Sequence, residues 1–193
     1  MKVLLCEPNA ERVNHACEKF DEQFKVTENA LGELFSLFPV NTDPSHVLLK
    51  VVVLNRLYST QILAVHAVAD HIYQIGREID DELAAGSLEI VKKIATVKIG
   101  EKERVNFSFA SKFCNWHRQE IYPIYDSHVD KYLWGLQKQV SYTDPIFTHD
   151  SLWNYPEFVK VMESFRKHYG LDLFTFKQVD KFIWLQGEQS SAV

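Results

Sequence analysis

A chain of 193 residues with 46% hydrophobic content is long enough for one helical domain, or for two small lobes sharing a core. The formal net charge of −5 argues against a surface built wholly to bind polyanions, while leaving room for a local basic patch. Cys6, Cys17 and Cys114 are scattered without C-x-x-C spacing, which excludes a disulfide framework and a zinc or iron–sulfur motif and fits a reducing cytoplasm.

The first apolar run, Val3–Cys6, is too short for a signal peptide. The longest, Val47–Leu54, is broken by Lys50, so no membrane span is expected. These features predict a soluble, cytoplasmic protein. With only 7 Gly and 6 Pro, the chain reads as helices joined by short connections.

Residues 10–25 carry Val13, Ala16, Cys17, Phe20 and Phe24 at helical steps, with Asn9 as cap. A second apolar segment spans Leu31 to Val40. Asp43-Pro44 then starts a helix, with Asp at the N-cap and Pro at the first helical position. That helix, Pro44 to about Leu57, is apolar nearly all round and is expected to be central. Tyr58–Gln61 breaks it, and residues 62–84 resume a helical pattern, loosened at Gly76.

A short helix follows from Leu88 to about Ala95, then a connection over Thr96–Gly100 and a helix from about Glu103 to His117. Pro123 stops helix continuation. Asp126 caps the next helix, whose apolar stripe is Val129, Leu133, Leu136 and Val140. Asn154 with Glu157 opens another, and Thr175-x-x-Gln178 is a capping box for the last, which is read as ending at Gly187. Residues 188–193 are expected to be a flexible tail after a single compact helical unit over 1–187. The predicted fold class is all-α, with about eight helices and no strand.

Two motifs in order carry a family resemblance. Ser108-Phe-Ala110 is followed by Tyr122-Pro-Ile-Tyr-Asp126-Ser-His128-Val129, and upstream an apolar helix ends in Leu57-Tyr-Ser59-Thr-Gln61. Over residues 44–140 this resembles the helix-hairpin-helix DNA glycosylases, nearest the monofunctional adenine-glycosylase branch. The resemblance implies two helical lobes with a central groove. It implies Asp126 as the catalytic carboxylate, supporting positive charge at the sugar C1′ as the base leaves. Gln61 would enter the duplex, His128 would touch the DNA backbone, and Tyr58, Tyr122 and Tyr125 would stack on an extruded base. Ser108 stands where strand-cleaving members carry a nucleophilic lysine, implying hydrolysis without Schiff-base chemistry, with Lys112 one turn later as a displaced candidate.

The sequence departs from the family where Glu103–Phe107 replaces a glycine-rich hairpin that lets backbone N–H groups approach phosphate. The four-cysteine cluster of some members is absent, and no cofactor or metal is expected; His66 and His71 are five apart, poor spacing for a shared ion. Residues 92–120 carry a local charge of +4, with Lys102, Arg104 and Lys112 in it, a candidate phosphate-facing patch as well as an ordinary solvated face. Trp116, Trp134, Trp153 and Trp184 read as core. Two functions remain open from these residues. One is base removal from damaged or modified DNA; the other is a non-catalytic module that binds nucleic acid or a protein partner on the same fold.

Overall fold

The computed structural model describes residues 5–191. Helix accounts for 66% and strand for 4%, against roughly 30–35% helix in ordinary domains, so the fold is mostly helical. The chain divides into two compact units, Met1–Lys25 with Pro123–Val193, and Val26–Tyr122.

Helix α1, Ala10–Leu37, contributes to both units; it absorbs the second apolar segment into one 28-residue helix. Within Val26–Tyr122 follow α2 (Pro44–Leu57), α3 (Val65–Gln74), α4 (Gly76–Ala85), α5 (Ile90–Ala95), strands β1 (Thr96–Ile99) and β2 (Lys102–Val105), and α6 (Phe107–His117). α2 packs on α3 and α6, α4 on α3 and α5, and α5 on α6. Val47, Val51, Leu54, Val68, Ile72, Ile94 and Phe113 are sealed in the core here.

The other unit holds α7 (Ser127–Gln137), a 3-10 turn (His149–Trp153), α8 (Tyr155–His168) and α9 (Phe176–Ser191). α7 packs against α9, with Val129, Leu133, Leu136, Phe158, Phe165, Phe182 and Ile183 buried.

The caps read from the sequence form. Asn9 Oδ1 accepts from Arg12 N at 2.9 Å, Asp43 Oδ1 from Ser45 N and His46 N at 2.9 and 3.0 Å, and Asn154 Oδ1 from Glu157 N at 3.2 Å. Thr175 and Gln178 make the reciprocal box, with Thr175 N on Gln178 Oε1 at 2.9 Å and Gln178 N on Thr175 Oγ1 at 3.2 Å.

Four expectations are corrected. The connection at 96–100 and the start of the expected 103–117 helix form an antiparallel hairpin, pairing Thr96 with Val105 and Ile99 with Lys102. Gly100, at φ 62°, begins its two-residue loop in a conformation open to glycine, and flanking β-branched residues suit strands. The 62–84 helix splits into α3 and α4 at Ile75–Gly76. α2 is not central on all sides, because Leu49, Val52 and Leu57 are each more than 40% exposed. Finally, α9 continues through Gly187 to Ser191. A side chain at 187 would overlap the His128 ring, so glycine is needed for packing rather than as a stop. The rest of the expected tail, 192–193, lies outside the described residues.

Gly76 shows how tightly the first turn of α4 is set, since a Cβ there would overlap the Asn41 carbonyl oxygen. The blocking atom is backbone, so it cannot swing aside. Gly76→Ala should lower unfolding stability by about 1–3 kcal/mol in urea titration, despite alanine's better helix propensity.

Candidate functional site

The Pro123 turn and the α7 N-terminus behave as their chemistry dictates. Asp126 is extended at φ −154°, ψ −177°, and its Oδ1 accepts from His128 N at 2.9 Å and Val129 N at 3.1 Å. The carboxylate is thereby fixed at a helix start. Tyr155 hydroxyl donates to Pro123 O at 2.6 Å, clamping the turn from α8.

A network next to Asp126 went unseen in the sequence. Tyr125 hydroxyl donates to Asp130 Oδ1 at 2.9 Å, and His149 Nε2 lies 3.0 Å from Asp130 Oδ2. The His149 ring stacks on Trp134 at 5.0 Å. Burial, then the Asp130 bond, push the Tyr125 phenol well above its ordinary value. Asp130 lies one helical turn after Asp126, while His149 reaches the cluster from the start of the 3-10 turn.

Tyr125 is 3% exposed and its ring meets Trp153 and Phe158 at 5.4 Å. Trp153 itself, expected in the core, is 59% exposed. The His128 ring is drawn against Gly187 and lies edge-on to Trp184 at 6.2 Å.

The remaining sequence candidates belong to the Val26–Tyr122 unit. Tyr122 is fully buried, its hydroxyl donating to Ser87 O at 3.0 Å and its carbonyl accepting from Asn115 Nδ2 at 2.7 Å. Its ring is therefore a core element, not a stacking face. Ser108 lies in the first turn of α6, and Lys112 Nζ donates to its Oγ at 2.9 Å, with the ammonium 5.4 Å from the Tyr58 ring centre. Tyr58 hydroxyl accepts from Trp116 Nε1 at 3.0 Å. Lys112 is 3% exposed, so it is not the surface cation that the charge run suggested. Lys102 and Arg104 are exposed on β2.

Gln61 is exposed in a loop where both Ser59 and Gln61 are left-handed, at φ 50° and 59°. Asn55 holds this loop, donating to Ile62 O and accepting from Thr60 Oγ1 and Ile62 N, all at 2.9 Å. Leu63, which the periodicity placed in a helix, stands 98% exposed there.

The sequence also hid a polar cluster inside the same unit. Lys50 is fully buried and donates to Phe38 O and Val40 O at 3.1 Å and to Asn41 Oδ1 at 2.6 Å. Asn41 passes the contact on, its Nδ2 donating to Asp80 Oδ1 at 2.7 Å and lying 3.4 Å from His117 Nε2. Burial brings Lys50 down to about 8, opposed by the Asp80 charge, and burial with the Lys50 charge holds His117 down at about 3. Among the described residues no group of three or more His, Cys, Asp or Glu gathers to hold a metal.

The His117 shift has a sign. The folded state refuses a proton that the unfolded chain accepts below 6.5, so its stabilisation is complete above 6.5 and lost as pH falls toward 3. Between pH 7 and 5 the wild type should lose about 2 kcal/mol more stability than His117→Gln, read as the difference between urea midpoints. Parallel curves would place the acid sensitivity elsewhere.

A mostly helical protein with one short hairpin is thus defined. The chain belongs to the HI_0787_N family, described as an N-terminal domain, which it matches over residues 11–121. That span contains the Lys50 cluster and the Ser108–Lys112 pair and stops before Asp126. An uncharacterized protein of Haemophilus influenzae is 36% identical over 135 residues, covering 70% of this chain and 63% of its own length. No solved structure matches. Among the described residues no helix is long and apolar enough to cross a membrane.

Proposed function

We propose that the protein is a DNA glycosylase-like hydrolase that cleaves the N-glycosidic bond of a damaged or modified base, on a helix-hairpin-helix glycosylase-like fold. The observation that carries this reading is the Asp126 carboxylate, held at the α7 start by two backbone N–H groups and a clamped proline turn. A carboxylate fixed before the reaction stabilises an oxocarbenium-like transition state without reorganising. Ser108 at the position of the strand-cleaving lysine favours water as the nucleophile. The exposed Gln61 loop, with Leu63 beside it, is the segment offered to the duplex, and Lys102 and Arg104 are the phosphate contacts. Tyr58 is the candidate stacking ring.

A rival reading rests on a different observation. Glu103–Val105, matching the family's glycine hairpin, lies in β2, and that geometry favours a non-catalytic nucleic-acid or protein-binding module. Base release from a panel of duplexes carrying damaged or mispaired bases separates the two. The expected result is free base with an intact abasic strand for at least one substrate, and strongly reduced release by Asp126→Asn. No release from any duplex would sink the glycosylase reading.

A further inference from the structure

An open pocket of about 490 Å³ lies wholly within the Val26–Tyr122 unit. Its wall is contributed by the last turns of three helices: Phe35 and Ser36 of α1, Leu83 and Ala84 of α4, and Trp116 and His117 of α6. Helix C-termini present carbonyl oxygens and the negative end of the dipole. The α1 end is left short of donors. Pro39 has no N–H to give to Phe35 O, and the Asn41 N–H turns to Asp80 at 3.0 Å instead of bonding Leu37 O.

The chain already answers part of this with its own cations. Lys50 Nζ takes Phe38 O and Val40 O, and Arg118 Nη1 donates to Leu83 O and Ala84 O at 3.2 and 3.3 Å. Arg118 is in turn neutralised by Glu120, with Nε on Oε1 at 2.5 Å. Besides Arg118, whose Nη1 and Nε are held by Leu83 O, Ala84 O and Glu120, the pocket is lined by the Asp80 carboxylate, a neutral His117, and the aromatic residues Phe35 and Trp116.

We propose that this pocket is a binding site for a small organic cation, an alkylammonium or guanidinium compound. Its N–H groups would meet Asp80 and the α1 carbonyls, and its stem would lie on the aromatic wall, where a cation is attracted to the ring faces. An anion would face the Asp80 carboxylate, while Arg118 is already engaged by the α4 carbonyls and Glu120. The site is independent of the glycosylase reading.

The test is calorimetric titration of the full chain with agmatine and putrescine, with butane-1,4-diol and succinate as neutral and anionic controls. Agmatine should bind with Kd of roughly 0.1–1 mM, and both controls should not. Asp80→Asn should weaken agmatine at least tenfold. Because Asp80 also holds Asn41, a second variant is required. Ser36→Lys, at an exposed position, tethers an ammonium at the pocket and should abolish binding with the fold intact by circular dichroism. Agmatine binding unchanged in Ser36→Lys would reveal general attraction to an acidic protein and overturn the proposal. So would absence of binding at ~10 mM, or succinate binding as tightly.

Discussion

Lys50→Met is expected to destabilise the protein by about 3 kcal/mol, although methionine fills much of the same volume and is the better core residue by hydropathy. The lysine stem occupies a core position on α2, while its ammonium is spent on three oxygens: Phe38 O, Val40 O and Asn41 Oδ1. Methionine leaves all three acceptors without the donor, the buried Asn41 Oδ1 above all, and a buried orphaned group costs roughly 1–3 kcal/mol. The effect propagates, because Asn41 also anchors Asp80. A buried charge replaced by apolar atoms is sometimes neutral or stabilising, so the sign is informative. Urea midpoints unchanged in Lys50→Met would mean that the loop between α1 and α2 relaxes to water. A second readout follows from His117, whose ionisation is opposed by the Lys50 charge. Removing that charge should raise the His117 titration midpoint, measurable by NMR.

Asp126→Asn is the variant that separates chemistry from architecture. Asparagine caps a helix about as well as aspartate, so the bonds from His128 N and Val129 N survive and stability should change by no more than ~0.5 kcal/mol. What disappears is the negative charge. If Asp126 supports the developing oxocarbenium, base release should fall on the order of 100-fold or more, as when other electrostatic stabilisers are removed. Asp126→Ala should lose the cap as well, costing roughly 1 kcal/mol further. Release that persists at the wild-type rate in Asp126→Asn would reduce Asp126 to a helix cap and favour the binding module.

Much of the local order was legible because its causes are local. Asp43-Pro44, Asp126, Asn154 and the Thr175–Gln178 box each place a side-chain oxygen within three residues of the N–H groups it satisfies, so a single sequence suffices to read them. The 3.6-residue stripes of α7 and α8 likewise required only periodicity, although α7 ends at Gln137 and leaves the expected stripe residue Val140 beyond it. The hairpin escaped because a four-residue strand carries too few alternations to outweigh an adjoining helical pattern.

The site depended more heavily on distant parts of the chain. The cap at Asp126 was readable, but His149 joins Asp130 across nineteen residues, and Tyr122 is sealed by Ser87, thirty-five residues away. α2 shows the division most plainly. Its sequence offers an apolar run interrupted by one lysine, in a helix expected to be apolar nearly all round and central. In the folded protein Lys50 is the buried residue, whereas Leu49 and Val52 face outward. Periodicity puts 47, 50, 51 and 54 on one stripe, but hydropathy puts lysine outside, and the two disagree. The carbonyls of Phe38 and Val40 and the amide of Asn41 decide the matter. They come from the turn after α1, and only the tertiary structure brings them to the lysine.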